Sequence, residues 1–424
     1  MKKKIWIWNH YATSMFFNKN GRHYNYAKQL INAGYDATIF CANTFHGSEK
    51  TVEIDGGLFS EKEIGSIKFV FVKVPKYNGN GFSRIRNIVS FYYRVQRVAR
   101  IKARQNAPDV IIASSVHPLT CIAGIRFCKR SHIPCIVEIR DPWPLVFDRE
   151  DAGRFRKLVI KILYKCEKWI YRKADKVVFT AEGGAKYIID KKWDKANGGP
   201  IDISNIHYLN HGVDLNDFDY KIRNNKIQDP DLNDPDTKKF GYIGAIRYIN
   251  GIGYLLDAAK YIKNPNAKVL IWGKGSAEEA EMITGRISEE KLSNVVFKGE
   301  LERKYVPYVS SKLDAGLVVF RQNMRHVFKY GTSHNKTFEY MAAGLPVIAN
   351  NKEGFCKYER YQCGIADDFA PEEYAKKIDE YCEMPEEEIL KQCENARRAA
   401  ENFEYKQLSK GLIRIIESVG EKSG

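Results

Sequence analysis

The 424-residue chain is predicted to be an α/β protein built from two open, mostly parallel sheets. Three observations carry this. Short apolar strands alternate with helices along nearly the whole sequence, the βαβα order of a parallel sheet covered by helices. The alternation comes in two series, separated by a stretch at 222–239 (IRNNKIQDPDLNDPDTKK) with two prolines, many Asn and Asp, and almost nothing apolar, which reads as a loop or interdomain linker. The length also exceeds what one hydrophobic core usually serves.

The first series runs KIWIWN as a strand, GRHYNYAKQLINAGY as a helix ending at Gly34, and DATIFCAN as the next strand. IKFVFVKV, DVIIASS and PCIVEIRD follow, and KVVFTAEGGAKYI and IHYLNHGVD close it. The second series has KFGYIGAI, a helix over 254–262, KVLIWGKG, NVVFKGEL, DAGLVVF and LPVIANN. The segment YKQLSKGLIRIIESV reads as a final amphipathic helix. Open parallel sheets bind ligands at the carboxyl ends of their strands, so two facing sheets can hold two substrates.

Composition narrows the class. Apolar residues make up 44% and charged residues 28%, as in soluble globular proteins. Nine cysteines, with no CxxC pair, lie mostly in apolar runs and read as free thiols of a reducing cytosol. Cys121, Cys128 and Cys135 repeat every seven residues, but the last falls in a strand beyond the helix of the first two, so no metal site is expected there. The opening MKKKIWIWNHY has too short an apolar run for a signal peptide. No stretch approaches the roughly 20 apolar residues of a membrane span. A cytoplasmic protein, peripherally bound to the inner face of the membrane, is expected.

The net charge of +16 is unevenly placed: residues 1–215 hold 36 Lys and Arg against 19 Asp and Glu, and residues 216–424 hold 32 against 33. The first half should favour an anionic partner. Two basic helices concentrate the excess. Over 82–105, Ile85, Ile88, Tyr92, Val95 and Ala99 share one face and Arg86, Arg94, Arg97 and Arg104 another. Over 154–176, Lys157, Lys161, Lys165, Lys168 and Arg172 repeat the design. Such helices read as binders of an anionic membrane surface; the alternative is a solvated face on a packed helix. No compact nucleic-acid-binding motif accompanies the charge, so nucleic acid ranks last among partners.

The densest polar crowd lies in KYGTSHNKTFEYMAAGLPVIANN, residues 329–351. Thr332 or Ser333 suits an N-cap and Gly344 a C′ position, giving a helix over 335–343. Its N-terminal amides suit a phosphate. Lys336 in the first turn has the wrong sign for the helix dipole unless an anion is present. Glu339 lies on the same face. One face thus offers a cation to a diphosphate and a carboxylate to a sugar diol; the plain alternative is a surface Lys and Glu pair.

SHNKTFEYMAAGLPVIAN resembles the donor-site signature of the family 4 glycosyltransferases, where S-P-N-K-L-F-E-Y-M-A-A-G-K-P-V-I is common. NKNGRHYNYAKQL, EIRDPWP, NHGVDLNDF, GYIGAIRYINGIGYLLDAA, LIWGKGS and NVVFKGELERKYVPYVSSKLDAGLVVF fall in the family's order, so the resemblance covers nearly the whole chain. It is nearest to bacterial enzymes that assemble capsule, O-antigen or exopolysaccharide. It implies the GT-B fold: two Rossmann-like domains whose parallel sheets face across a cleft. Residues 1–215 would be the acceptor-binding domain and 216–404 the nucleotide-sugar donor domain, with 405–424 crossing back to the first.

The resemblance also assigns roles. The second Glu of the family's E-x7-E pair binds the donor ribose, and Glu339 matches it. The first, which touches the donor sugar, would fall at Gly331, a departure; backbone amides around Thr332, Ser333 and His334 could take part of its role. His334, where proline is common, either faces the sugar or is simply tolerated, and Asn335 opens the helix beside it. The family's diphosphate-binding Arg and Lys follow the first strand of the second domain, after Gly244. Here Arg is displaced to Arg247 and Lys is replaced by Asn250, leaving Arg247 and Lys336 as the phosphate cations, with Lys274 a weaker candidate. Gly21 resembles the glycine loop beneath the donor phosphates. Arg140 stands where the family's active-site histidine often lies; Arg140 and Asp141 are read either as an acceptor or sugar contact or as a structural ion pair. His117 also ends a strand, where a lone histidine is more often structural.

The implied reaction is transfer of a sugar from a nucleotide-diphosphate sugar, UDP by preference, with retention, to a lipid-linked or saccharide acceptor. No D-x-D motif or metal-spaced cluster is present, so neither metal nor cofactor is expected. No clear base appears, which fits a front-face mechanism; Asp141 is the one candidate. Two other readings stay open. A UDP-sugar 2-epimerase shares the architecture, but the acid–base set it needs is not visible. A catalytically degenerate partner subunit is supported by Gly331, Ala245 and Asn250.

Overall fold

The computed structural model describes residues 2–77, 79, 81–148, 153–247, 250–322 and 325–419. The chain divides into two compact units, Met1–Asn210 with Tyr405–Gly424, and His211–Glu404.

Unit 1 holds an eight-stranded sheet of β1 (Lys4–Trp8), β2 (Asp36–Ala42), β3 (Phe59–Ile64), β4 (Ile67–Val72), β5 (Val110–Ser114), β6 (Cys135–Ile139), β7 (Lys176–Phe179) and β8 (Ile206–Tyr208). Its order is β3-β4-β2-β1-β5-β6-β7-β8. Every pairing is parallel except β3 with β4, a hairpin closed at Gly65, whose φ of 61° requires a residue that tolerates the left-handed region. That edge strand, FSEKEI, is too charged to read as a strand and was not expected.

The central strands are buried on both faces, so they read as unbroken apolar runs. The crossovers from β4 to β5, β5 to β6 and β6 to β7 all move the same way along the sheet. Right-handed connections therefore put helices Phe82–Asn106, Pro118–Ser131 and Arg154–Lys173 on one face. The middle helix packs against both others. On the other face, Arg22–Asn32 packs against Tyr405–Glu417, and Tyr26 meets Tyr405 edge-on at 5.5 Å. Residues 420–424 of the expected final helix lie outside the described residues.

Unit 2 holds six parallel strands: β9 (Lys238–Ile243), β10 (Ala267–Trp272), β11 (Val295–Gly299), β12 (Ala315–Val318), β13 (Val347–Ala349) and β14 (Gly364–Ala366), in the order β11-β10-β9-β12-β13-β14. Separate apolar clusters fill the two faces of the sheet. β14, only three residues long, has no sequence signal of its own.

Several expectations are corrected. The stretch 222–239 is not a linker. It contains the end of helix Leu215–Asn224, helix Pro230–Asn233 and the start of β9, and Leu232 and Phe218 anchor it in the unit 2 core. The division falls after Asn210 rather than after 215, because Val213 bridges to Glu404 and joins the second core. The helix expected at 254–262 is Ile252–Ala259. In Phe82–Asn106, Tyr92, Val95 and Ala99 are core residues, whereas Ile85 is exposed. All nine cysteines are free. Among the described residues no group of three or more His, Cys, Asp or Glu is placed to hold a metal ion, and no helix is long and apolar enough to cross a membrane.

Candidate active site

The 329–351 segment is built onto the end of β9. Its helix is Asn335–Ala342, one residue shorter than expected. Tyr340 locks it to the sheet: the Ile243 amide donates to the Tyr340 hydroxyl at 2.8 Å, and that hydroxyl donates to the Gly241 carbonyl at 3.2 Å. Gly316 in β12 makes room, since a Cβ there would lie 2.6 Å from the Tyr340 ring. Gly344 ends the helix at φ 67°. The N-cap is His334, with no side-chain cap bond, and not Thr332 or Ser333. The Ser333 hydroxyl instead accepts from the His211 amide at 3.1 Å, which draws it off the helix.

Lys336 is buried, and its ammonium finds no hydrogen-bond acceptor among the described residues. It sits 4.0 Å over the Tyr242 ring, a cation–π contact. It also lies against Gly244, where a Cβ would come within 3.3 Å of the Lys336 Nζ. Burial pulls its pKa from 10.5 down to about 7. Glu339 is largely buried and paired with Arg303, whose second bond to it measures 3.3 Å. Burial pushes the Glu339 pKa up, against the pull of Arg303 and Lys221. His334 meets the Phe320 ring at a tilt, 4.8 Å between centroids; desolvation, then Lys336 and Lys357, lowers its pKa to about 3, so it is neutral at pH 7. Asn335 is exposed. Thr332 is buried, and its carbonyl accepts from the fully buried Lys357 at 3.1 Å.

In the loops after β9 and β10, two polar side chains are engaged within the protein. Asn250 donates to the Ala245 carbonyl, bracing the turn rather than presenting an amide outward. Lys274 is exposed, and its ammonium is committed to Glu300 at 2.9 Å. Arg247 is exposed and lines a cavity of about 610 Å³ with Tyr254, Asp257, Glu279 and Arg321. None of Lys336, His334 and Glu339 lines it, so cavity and signature helix are separate features of unit 2.

In unit 1, Gly21 is the N-cap of helix Arg22–Asn32 with φ 123°, and a Cβ would press on Met15 at 2.9 Å. Beneath it lies a closed ionic network. Arg22 donates to Glu138 at 2.6 Å and to the carbonyls of Leu209 and Asn210. Glu138 also receives Ser114 at 2.8 Å and meets His23 at 2.9 Å. Arg22 and His23 hold the Glu138 carboxyl well below its ordinary pKa despite full burial. His117 caps helix Pro118–Ser131 through its backbone and meets His10 ring to ring, Nε2 to Nδ1, at 2.6 Å. Burial lowers both pKa values, that of His117 to about 3, so the pair is neutral. Arg140 is held by its backbone, its amide donating to Ser115 and its carbonyl accepting from Thr180. Among the described residues no ion pair joins Arg140 to the exposed Asp141.

Sequence reasoning missed Arg22, His23, Glu138, His10, Arg303 and Lys357. Glu138 had a signal, a carboxylate inside the apolar run PCIVEI, and so did His10, polar at the end of a strand. Arg303 had none.

Two parallel-sheet α/β units of this topology define the GT-B architecture. Solved structures agree: sucrose-phosphate synthase from Thermosynechococcus elongatus (TM-score 0.73, 16% identity, 98% of each chain), trehalose 6-phosphate synthase from Burkholderia multivorans (TM-score 0.73, 12% identity, 99% of each chain), and Anabaena HepE in complex with UDP (TM-score 0.65, 13% identity, 99% of this chain and 100% of that one). Two family models match in sequence, Glycosyltransferase Family 4 over residues 23–217 and Glycosyl transferases group 1 over residues 237–383. The chain belongs to the family 4 (group 1) glycosyltransferases. A curated relative, TuaH of Bacillus subtilis, is named for a proposed role as a teichuronic acid biosynthesis glycosyltransferase. It is 24% identical over 230 residues, 53% of this chain, and the match spans 52% of its own length.

Proposed function

We propose that this protein is a retaining, metal-independent glycosyltransferase that moves a hexose from a UDP-sugar to a lipid-linked or saccharide acceptor during assembly of a bacterial surface polysaccharide. The observation that carries the proposal is Lys336: a buried ammonium without an acceptor, set where helix amides already favour an anion. A diphosphate supplies that acceptor. HepE, solved with UDP and with UDP-glucose, and the name of TuaH support the donor class and the pathway class.

On this reading unit 2 binds the donor and unit 1 the acceptor. Lys336 and the amides of helix Asn335–Ala342 stabilise the charge that develops on the departing nucleoside diphosphate. Glu339 takes the ribose hydroxyls in exchange for Arg303. The departing phosphate accepts the proton of the acceptor hydroxyl, and Arg140, Asp141 and His117 belong to the acceptor side.

Membrane attachment is part of the proposal. Helix Arg154–Lys173 exposes Phe155, Leu158, Val159 and Ile162 at helical spacing, beside Arg154, Lys157, Lys161 and Lys165. Helix Phe82–Asn106 exposes Phe82, Ile85, Val89 and Tyr93 beside Arg86 and Arg97. Both stripes lie on the same helical layer of unit 1, and apolar stripes flanked by cations suit an anionic bilayer surface at the inner face of the membrane.

The test is a thermal-shift panel of nucleoside diphosphates and nucleotide sugars on the wild type and Glu339→Ala. Ligand at about 100 times its Kd stabilises by about 2.7 kcal/mol. UDP and one UDP-sugar should raise Tm, less so in the variant. If no nucleotide shifts Tm, the enzyme reading fails and a degenerate subunit becomes the better account.

A further inference from the structure

Glu353 is a second buried charge that closes no hydrogen bond; Lys357 and the Thr332 hydroxyl and amide are the groups that attract it. It follows β13 in the loop 350–356 and is 6% exposed, and neither carboxylate oxygen closes a hydrogen bond within the described residues. The loop is rigidly placed. The Asn350 side chain donates to the Phe320 carbonyl and accepts from the Phe320 amide, both at 2.8 Å. The Gly354 amide donates to the Phe328 carbonyl at 3.2 Å, and a Cβ on Gly354 would come 1.9 Å from the Lys329 carbonyl. The backbone beside Glu353 is thus pressed against the segment that leads into the signature.

On that segment, Thr332 stands between two buried charges. Lys357 holds its carbonyl, and the Glu353 carboxylate lies beside its hydroxyl and amide. A carboxylate is acceptor-only and repels phosphate, so its ligand must bring hydroxyl or N–H donors. Along the signature the charges then run Glu353 by Thr332, Lys336 in the first helical turn, and Glu339 one turn on. Acceptor, cation, acceptor is the order that complements a sugar, a diphosphate and a ribose joined in that sequence.

We propose that Glu353 binds the hydroxyl groups of the transferred sugar, supplying from the loop after β13 the carboxylate that Gly331 cannot. The assignment rests on the nucleotide-sugar reading of unit 2. It makes Glu353 a determinant of which sugar is accepted, with Lys357 and Thr332 positioning it.

The test uses the full chain and calorimetric titration with UDP and with UDP-glucose, UDP-galactose, UDP-N-acetylglucosamine and UDP-glucuronate. The wild type should prefer one UDP-sugar over UDP. In Glu353→Gln, UDP affinity should stay within about twofold while that preference falls about tenfold or more, because a site built to bind a hydroxyl discriminates by it. Glu353→Ala should do the same, and an unchanged UDP Kd certifies that it is folded. Equal losses for UDP and UDP-sugar would make Glu353 a structural residue and overturn the proposal. So would an unchanged preference in Glu353→Gln, or a wild type that binds UDP and all four sugars alike. A wild type that binds no nucleotide at all overturns the donor-site reading, and this assignment falls with it.

Discussion

The two units bury charge in opposite ways. In unit 1, Arg22, His23 and Glu138 form a complete set: the carboxylate has three partners and the guanidinium is spent on Glu138 and two carbonyls. In unit 2, Lys336 and Glu353 are buried and neither closes a side-chain hydrogen bond among the described residues, although Glu353 lies near Thr332 and Lys357. The pKa directions follow. Pairing pulls Glu138 down, whereas burial alone pushes Lys336 down, and burial pushes Glu353 up against the pull of Lys357 and Thr332. A satisfied buried network holds a loop in place; an unsatisfied one carries a standing cost that a complementary ligand removes.

That contrast predicts opposite outcomes for mutation. The largest effect is expected in unit 1. Glu138→Ala strands the buried Arg22 and should cost about 3–5 kcal/mol of stability, read as a large fall in the denaturant midpoint or failure to fold. Stability retained to within about 0.5 kcal/mol would mean the network is not structural.

Lys336→Met should leave the ligand-free protein as stable as the wild type or more so, while nucleotide affinity falls about 10–100-fold, the worth of charged hydrogen bonds. Parallel loss of stability and binding would erase the distinction between the units.

The pH dependence sharpens it. The folded-state pKa of Lys336 is lowered from 10.5 to about 7. The unfolded chain therefore holds this proton between those values and the folded chain does not. The penalty is full below pH 7 and disappears towards pH 10.5. The Tm advantage of Lys336→Met should shrink over that window, and nucleotide binding near pH 8.5 should take up a proton, seen as a binding enthalpy that varies with buffer. No buffer dependence would mean Lys336 stays charged without ligand. In unit 1, His10 and His117 are held below 6.5, so acid should begin to weaken that unit as pH falls through 6.5.

The smallest effect on folding is expected at the exposed stripes. Phe155→Ser with Leu158→Ser should change stability by less than about 0.5 kcal/mol, the range for surface substitutions, yet reduce sedimentation with vesicles containing anionic lipid. Undiminished sedimentation would move the membrane contact elsewhere.

Strands β1, β2, β4, β5, β6, β9, β10, β12 and β13 could be read from the sequence because each is largely buried on both faces and so carries an apolar run; the edge strand β11 was legible from its apolar start, VVF. β3 and β14 were missed for different reasons, one being a charged edge and the other a short edge strand with only Ala366 buried. The apolar face assigned to Phe82–Asn106 mixed core residues (Tyr92, Val95, Ala99) with Ile85 of the exposed stripe; the two could be separated only by knowing which side meets the sheet. At the site, Lys336 and Glu339 were visible because they lie one helical turn apart in a single segment. Lys274 was the weaker cation candidate, and its side chain is engaged with Glu300; Asn250, which replaces the family's lysine, is engaged with the Ala245 carbonyl.

The sequence by itself determined the alternation of strands and helices, the signature helix with its glycine stop, and the charge asymmetry between the halves, since all are properties of local periodicity and composition. Only the tertiary structure decided which charges are paired. Arg22 meets Glu138 across 116 positions, Arg303 meets Glu339 across 36, and Glu353 comes beside Thr332 because the Gly354 amide bonds the Phe328 carbonyl. Whether a buried charge braces the fold or awaits a ligand depends on the groups within about 3 Å of it, and chain order does not specify those neighbours.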